Sequence, residues 1–445
     1  MGFTNAYIKT PCLLAEGGAQ FLAQPSAKSI NIEYNSELKL EKEREIMSSG
    51  RSIFDLPGHI ITDILSRLPI KTIIHCRCVC RTWHSLVLDP HFANLHLSRT
   101  PTSLIIHQDS DRSPDWDSDI LKLIEFDRDE HDQHGNGLLH YDPLMKFDLK
   151  RLCYKNGEIL LVGSVNGLLC FCDYENEAIF ICNPIMRECI TLPKPMYTKR
   201  YPSTIVYGFG YSSLSGHYKV VQISQTPLSD PAEGLPSSYD SQGAVYVLGT
   251  ANWRSIGTVP FLYSCRSYNL SLNGNIHWLN CDGETSELIC SFDVEYESFQ
   301  VFPSPPNNLI KQTLYVSLGL FRDCLCLCVT DGSEDSDIVI WVMKEYGVKE
   351  SWTKEIVIRQ NSSDLSCLLY DEVSLLHVWE NGDILILWRD DRLYSYSPER
   401  KTLEEVEVPR DSSHIVAPFI TYEMMLHVPS FLSLKDFERE KVDMF

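Results

Sequence analysis

Three Asn-Gly dipeptides, each opening an apolar run of strand-forming residues, constrain this chain more than any other feature. Asn166-Gly167 precedes Leu168-Leu169-Cys170-Phe171-Cys172, Asn273-Gly274 precedes Ile276-His277-Trp278-Leu279, and Asn381-Gly382 precedes Ile384-Leu385-Ile386-Leu387-Trp388. The glycines are 274 − 167 = 107 and 382 − 274 = 108 residues apart. Each run has partners downstream: Ile179 to Asn183 and Ile190 to Leu192, Leu288 to Asp293 and Phe299 to Phe302, Leu393 to Ser397 and Glu405 to Val408. A second type of unit lies between them. Tyr218 to Val221 goes with Ala244 to Leu248 and Trp253, and Leu325 to Val329 goes with Ile338 to Val342 and Trp352. Alternating units of roughly fifty residues with three or four short strands each match the blade length of a β-propeller. Stacking blades radially buries both faces of strands too short to bury a face alone, and leaves few long open edges. We expect five to seven blades, with the Leu104 region and Ile415 to Tyr422 closing the ring. The alternative is an irregular β-sandwich or two stacked sheets.

Ahead of the strands stands a stretch of different character, Asp55 to His96. Ile60, Ile61, Ile64, Leu65 and Leu68, then Ile70, Ile73 and Ile74, then Val79, Trp83, Leu86 and Val87, recur at spacings of one, three and four, as on helices with one broad apolar face. Pro57 suits a first helical turn, Pro69 ends the first helix, and Asp89-Pro90 ends the last long one. Three or four short helices in so small a segment do not bury a full core alone, and such a piece often completes its core against a partner chain. A DNA-reading helix-turn-helix is the competing reading. Arg51 to Thr100 holds six Lys/Arg and three Asp, a net 6 − 3 = +3. A recognition helix needs a basic, polar face, and here Arg77 and Arg81 sit among Cys and Val.

The order Leu56-Pro57, Ile64-Leu65-Ser66-Arg67-Leu68-Pro69, Val79-Cys80-Arg81-Thr82-Trp83, Leu86 and Asp89-Pro90-His91-Phe92 closely resembles an F-box. Gly58-His59 stands where that family usually has acidic residues, and Cys76 and Cys78 where it is usually aromatic or basic. The apolar pattern is intact. The strand region carries a second resemblance. Gly208-Phe209-Gly210-Tyr211-Ser212, His217 to Val221, Gly274 to Leu279, Ile340 to Gly347 and Ser351-Trp352-Thr353-Lys354 look like the F-box associated interaction domain of plant F-box proteins. Together the two resemblances cover roughly Ile53 to Leu434. They imply a kelch-like propeller as substrate receptor, and docking onto a Skp-type adaptor that brings cullin and RING subunits. The expected fold class is therefore multidomain, α plus all-β. A disordered segment, 1–50, precedes an F-box helical domain, 51–98. A propeller-like domain follows over 99–434, then a tail, 435–445.

Composition narrows the partners. The formal charge is −21, so the chain outside the +3 segment carries −21 − 3 = −24. Nucleic-acid affinity is driven by Lys and Arg neutralising phosphates, which excludes nucleic acid as the partner of the bulk of the protein. A basic target would be steered toward it. Met1 to Ala6 lacks a charged region followed by an apolar run, Ala6 breaks the myristoylation pattern, and no apolar run reaches a membrane span. We expect an intracellular chain, cytoplasmic and/or nuclear, with its 16 Cys reduced and no membrane partner. On that reading Asn269-Leu270-Ser271 and Asn361-Ser362-Ser363 are accidental glycosylation patterns. Cys170 and Cys172, and Cys324, Cys326 and Cys328, alternate as on one face of a strand, and no Cys-x-x-Cys pair exists. They read as small buried hydrophobes. The run Asp127 to His134 reads as a solvated loop rather than a metal site.

No Gly-x-Ser-x-Gly elbow, complete dinucleotide loop, His-Glu-x-x-His or activated cysteine is present. We expect no catalytic, cofactor or metal site, so any ubiquitin transfer belongs to a partner while this chain supplies proximity. The residues expected to serve the adaptor are Leu56, Pro57, Ile60, Ile64, Leu65, Leu68, Pro69, Ile74, Val79, Cys80, Trp83 and Leu86, partly in the module's own core and partly against the partner. Trp83 fits either role. Each buried aliphatic side chain is worth roughly 1.5–3 kcal/mol, enough for several to outweigh association costs. The alternative function is a lectin-like or small-ligand propeller with the F-box as tether. A propeller hydrolase would need convergent carboxylates or histidines that the sequence does not reveal.

Overall fold

A computed structural model describes residues 56–110, 120–126, 139–149, 159–173, 176–195, 204–228, 239–260, 269–280, 288–306, 315–330, 337–359, 372–388, 392–408 and 420–445. The head 1–50, the Asp127 to His134 loop and Asn361 to Ser363 lie outside the described residues. The chain divides between Ile61 and Thr62.

Four short helices come first: α1 (Gly58–Leu65), α2 (Ile70–Cys76), α3 (Arg81–Val87) and α4 (Pro90–Leu97). Their ends are set by local chemistry. The Pro57 carbonyl accepts from the Ile60 and Ile61 N–H groups at 2.9 and 3.2 Å, so Pro57 precedes the first turn rather than lying in it. Pro69 takes the N-cap position of α2. Asp89 ends α3's approach and begins α4, its carboxylate accepting from His91 N–H at 2.8 Å with Pro90 at the first helical position.

From Ser103 onward the described elements are β-strands, apart from two single 3-10 turns at Lys349–Ser351 and Leu434–Asp436. Blade one holds β1 (Ser103–Ser110), β2 (Ile120–Phe126) and β3 (Leu139–Asp148); blade two holds β4 (Ile159–Val165), β5 (Leu168–Asp173), β6 (Ala178–Asn183) and β7 (Glu188–Thr191). Blade three holds β8 (Thr204–Ser212), β9 (His217–Pro227), β10 (Tyr239–Val247) and β11 (Trp253–Thr258); blade four holds β12 (Leu270–Leu272), β13 (Asn275–Leu279), β14 (Ile289–Asp293) and β15 (Ser298–Phe302). Blade five holds β16 (Tyr315–Phe321), β17 (Cys324–Thr330), β18 (Ile338–Met343) and β19 (Trp352–Ile358); blade six holds β20 (Val373–Val378), β21 (Ile384–Trp388), β22 (Arg392–Ser397) and β23 (Thr402–Val406). Two later strands return to earlier blades. β24 (Ile420–His427) becomes the innermost strand of blade one, paired with β1 from Ser103↔His427 to Ser110↔Ile420. β25 (Val442–Met444) adds to the outer edge of blade two, beside β7.

The result is a six-bladed propeller of antiparallel sheets, within the expected count. Of the segment Ile415 to Tyr422, expected to help close the ring, residues 415–419 lie outside the described residues; the strand runs from Ile420 to His427, because Glu423-Met424-Met425-Leu426 continue the pairing with β1. The stretch 435–445, expected as a tail, instead carries β25. Val442 pairs with Ile190 and Met444 with Glu188, and this strand covers main-chain groups that β7 would otherwise present unpaired.

The cores lie between blades. One apolar cluster joins Cys170, Ile181 and Leu192 of blade two to Phe209, Val220 and Tyr246 of blade three. Others join blades three and four around Val221, Trp278 and Phe292, four and five around Ile289 and Trp341, five and six around Cys326, Ile340 and Trp388, and six and one around Leu387, Leu104 and Ile106. This accounts for strands such as β5 and β6 that are buried along their whole length. It also seats Cys170, Cys172, Cys326 and Cys328 as small core side chains, with burial pushing the Cys170 and Cys326 thiols up. The Gly208-Phe209-Gly210 stretch lies in β8. A side chain at Gly208 would overlap the Trp278 indole of the next blade, whose N–H donates to the Tyr207 carbonyl at 3.3 Å.

The two-blade period has a physical basis. Asn166-Gly167 and Asn273-Gly274 have φ of 50° and 84°, and 51° and 72°, the left-handed pairs that a tight hairpin between the first two strands of a blade requires. The tryptophans mark the alternate blades. Trp253, first in β11, donates from Nε1 to the Pro193 carbonyl at 2.6 Å, and Trp352, first in β19, donates to the Pro303 carbonyl at 3.0 Å. In both cases the outermost strand of one blade latches to a residue just past the fourth consecutive strand of the blade before, β7 or β15.

His277 and His427 are buried in this framework and His377 is half-buried. His277 Nδ1 donates to the Leu270 carbonyl at 3.1 Å, and the Tyr346 hydroxyl donates to Nε2 at 2.9 Å, tying blade four to blade five. Burial lowers His277 to about 4, His377 to about 4 and His427 to about 3. A histidine held neutral in the fold but titrating near 6.5 when unfolded stabilises above that pH, and the stabilisation is lost as pH falls toward the folded value. For the enclosed His277, 6.5 − 4 is about 2.5 pH units, or about 3 kcal/mol. The thermal midpoint should therefore fall steeply between pH 6.5 and 4. His277→Phe should melt lower at pH 7.5 and show a shallower fall across that range. Differential scanning calorimetry at both ends checks this.

Candidate docking surface of the helical module

The helical module sorts its apolar residues into two sets. Leu65, Ile70, Ile73, Trp83, Val87 and Phe92 are buried. Among the residues marked in the sequence for the adaptor, Leu56, Ile60, Ile64 and Val79 are exposed at 38, 40, 38 and 53%, far above the usual level for large apolar side chains in a helical core. Pro57 and Pro69 are exposed as well, Leu68, Ile74, Cys80 and Leu86 are half-buried, and Leu65 and Trp83 belong to the core. The division follows helical geometry. Ile60 and Ile64 are one turn apart on α1, so they share a face, while Leu65 points a hundred degrees away. On α2, Ile73 is enclosed and its neighbour Ile74 is at the margin.

Val79 lies in the turn between α2 and α3, and its exposure depends on how that turn is held. The Cys78 and Val79 N–H groups donate to the His75 and Cys76 carbonyls at 3.0 and 3.1 Å. Cys80 caps α3, its sulfur accepting from the Trp83 N–H at 3.4 Å, which fixes Trp83 inward and leaves Val79 outside. The other end of the module is tied by charge. Arg99 meets Asp63 at 2.9 Å and also bonds the Ser66 hydroxyl, while Arg67 meets Asp63 at 3.1 Å. The guanidinium of Arg67, and next that of Arg99, hold the Asp63 carboxyl below its ordinary range.

From Thr62 on, the module meets the propeller at three places. Lys71 pairs with Asp142 of β3, Arg77 Nη1 reaches Met186 Sδ at 3.9 Å in the turn between β6 and β7, and Phe92 and His96 of α4 stack around Phe431 beyond β24. Burial lowers the His96 pKa, while its bond to the Leu68 carbonyl works in the opposite direction. Sequence reasoning found no role for His96 or Phe431. Their spacing says nothing of a contact made across more than three hundred residues. Among the described residues no group of three or more His, Cys, Asp or Glu side chains could hold a metal ion, and no helix is long and apolar enough to cross a membrane.

Known proteins place this architecture. A family model described as the F-box domain matches residues 53–95, and one described as the F-box associated beta propeller domain matches residues 117–425. The chain is an F-box protein of the class that carries an F-box associated propeller. Among curated relatives, the Arabidopsis thaliana F-box protein At3g07870 is 30% identical over 81% of this chain and 89% of its own. The Arabidopsis thaliana F-box protein CPR1 is 25% identical over 87% and 92%. Among solved structures, the Aleuria aurantia lectin, a six-bladed beta-propeller, aligns over 70% of this chain and 98% of its own at 10% identity and a TM-score of 0.35, a likeness that carries no argument about ligands.

The two sets of residues should separate on substitution. Leu65→Ala and Trp83→Ala should each destabilise the module by about 2–5 kcal/mol. Leu56→Ala and Ile60→Ala should change stability by no more than about 0.5 kcal/mol. Chemical denaturation followed through helical amide exchange checks both.

Proposed function

We propose that this chain is the substrate-recognition subunit of a Skp–cullin–F-box ubiquitin ligase, with the helical module docking on a Skp-type adaptor and the propeller holding a target protein. The observation that carries the reading is the exposure of Leu56, Ile60, Ile64 and Val79 in a module whose Leu65, Ile70, Ile73, Trp83, Val87 and Phe92 are buried. A monomeric surface gains nothing from Ile64 and Val79 in water. A partner that covers them recovers roughly 1.5–3 kcal/mol for each aliphatic side chain fully buried. The cullin and RING subunits would arrive with the adaptor and supply the chemistry. This chain would contribute no catalytic group and act by holding two reactants together. Such a role is exercised in the cytoplasm or nucleus, where the free cysteines stay reduced.

The propeller supports the second half of the reading by its asymmetry. On one face successive strands are joined by tight turns, such as 166–167, 273–274 and 322–323, and the module's contact at Met186 falls on that side. The last strands of the blades end toward the other face, at Thr191, Thr258, Phe302, Ile358 and Val406, and the sequence connections that follow, to Thr204, Leu270, Tyr315, Val373 and Ile420, are longer. Variable recognition on a common scaffold is usually carried by longer connections of this kind.

The test is a pull-down from plant cell extract, read by mass spectrometry, with the intact chain beside Ile64→Asp/Val79→Asp and Leu56→Ala/Pro57→Ala. Adaptor and cullin peptides should accompany the intact chain. They should be lost with the aspartate variant and reduced at least tenfold with the alanine variant, while all three proteins melt alike. Equal recovery of adaptor on all three baits would sink the docking assignment.

A further inference from the structure

After β24 the chain crosses back over blades two and three on the tight-turn side, and it is held at several points by named partners. Asn183, fully buried at the end of β6, donates from Nδ2 to the Ser430 and Leu432 carbonyls at 3.1 and 2.7 Å. Its Oδ1 accepts from the Ile185 and Met186 N–H groups at 3.0 and 3.2 Å, so one side chain seats both the crossing and the turn that Arg77 touches. Ser430 Oγ donates to the Asn166 carbonyl at 3.0 Å, and Gly167 has φ of 84° in a place where any side chain would overlap Ser430. The Asn166-Gly167 turn is thus a seat as well as a hairpin. Glu188, only 2% exposed, accepts from the Ser433 hydroxyl at 3.0 Å and from the Leu434 N–H at 2.7 Å, and pairs with Lys435 at 3.1 Å. Glu440 accepts from the Tyr246 hydroxyl at 2.8 Å and the Gly249 N–H at 2.7 Å, and β25 then locks onto β7.

The apolar residues of this segment face two ways. Leu432, Leu434 and Phe437 join the core between blades two and three. Phe431, 1% exposed, turns to the helical module, its ring 5.9 Å from Phe92 and 5.2 Å from His96. Among the other contacts described from residues 62–100 to the blades are an ion pair at the surface, Lys71 with Asp142, and a contact of Arg77 with Met186. An ion pair at the surface contributes little. Burial of a phenylalanine between two rings contributes far more.

From this arrangement we infer that residues 428–445 form an intramolecular bracket: they belong energetically to the propeller and present Phe431 as the anchor that fixes the direction in which the helical module points. Adaptor docking and target holding would then be rigidly related through the C-terminal segment rather than through the short connection 98–102. The consequence for ligase geometry rests on the function proposed above, but the bracket itself does not, and its test needs no adaptor.

The probe is a zero-length carbodiimide cross-link between Lys71 and Asp142, which forms only while the module is seated. It is quantified by mass spectrometry on the full chain, on Phe431→Ala, on Phe431→Leu and on a chain ending at His427. The full chain should give the cross-link. Phe431→Ala and the shortened chain should lose at least nine-tenths of it, with amide exchange in α4 accelerated tenfold or more and exchange in β13, β14, β17 and β18 unchanged. Phe431→Leu should restore most of the yield. A cross-link of equal yield in the full chain and Phe431→Ala, or none in the full chain, overturns the bracket. Adaptor capture measured on the same proteins should be equal, and its loss from all of them would count against the docking reading alone.

Discussion

Everything in the propeller depends on one antiparallel pairing, that of β1 with β24. Ser103 opposite His427 and Ser110 opposite Ile420 join residues more than three hundred positions apart and turn five consecutive blades and an incomplete one into a ring. Without that pairing blade one has no inner strand, and the cluster of Leu104, Ile106, Leu385 and Leu387 between blades six and one opens to water. The pairing is reinforced by side chains. Glu423 of β24 meets His107 of β1 at 3.0 Å and accepts from the Leu161 N–H of blade two at 2.8 Å, so the closing strand is tied to the blade on its far side as well. His427 meets Ser164 in the same way at 2.9 Å. Closing a long loop costs only slowly more as the loop lengthens, which makes a ring sealed by its last strand thermodynamically reasonable.

Much of this was legible in the residues. The 107- and 108-residue spacing of the Asn-Gly turns matches blades two, four and six; at 166–167 and 273–274 the turn takes two consecutive left-handed residues, while at 381–382 only Gly382 has positive φ. The alternation of the tryptophans was legible too, although not its cause, since a hydrogen bond from Trp253 to Pro193 or from Trp352 to Pro303 leaves no periodic trace. The ring-closing strand runs past Tyr422 to His427, and β25 carries no signal in the sequence. Val442-Asp443-Met444 is short and half polar, and its strand character comes from β7 beside it rather than from its own propensity.

The docking module shows a different limit. An apolar helical face identifies which residues avoid water, but not whether the chain itself or another chain provides the shelter. Ile73 and Ile74 are indistinguishable in the sequence, yet one is enclosed and the other marginal. Leu65 and Ile64 differ in the same way. What separates them is the direction each helix takes past its neighbours, set by the Cys80 cap, the Pro69 break and the Asp63–Arg99 tie. The polar residues that seat the C-terminal segment, Asn183 and Glu188, carry no mark of that role in the sequence, because their partners lie about 245 to 249 positions away.

Closure by a late strand also has a meaning in time. A ribosome releases the helical module and β1 first, and His427 follows Ser103 by 427 − 103 = 324 residues. At roughly 5–20 residues per second that is about 16–65 s of synthesis during which the inner edge of β1 has no partner. Throughout that interval the nascent chain carries an open sheet edge and an unsealed seam between its first and last blades. The step that removes both is the addition of a single eight-residue strand. Birth of this protein is therefore a prolonged exposure ended by one event, and its dependence on chaperones should be concentrated in that window.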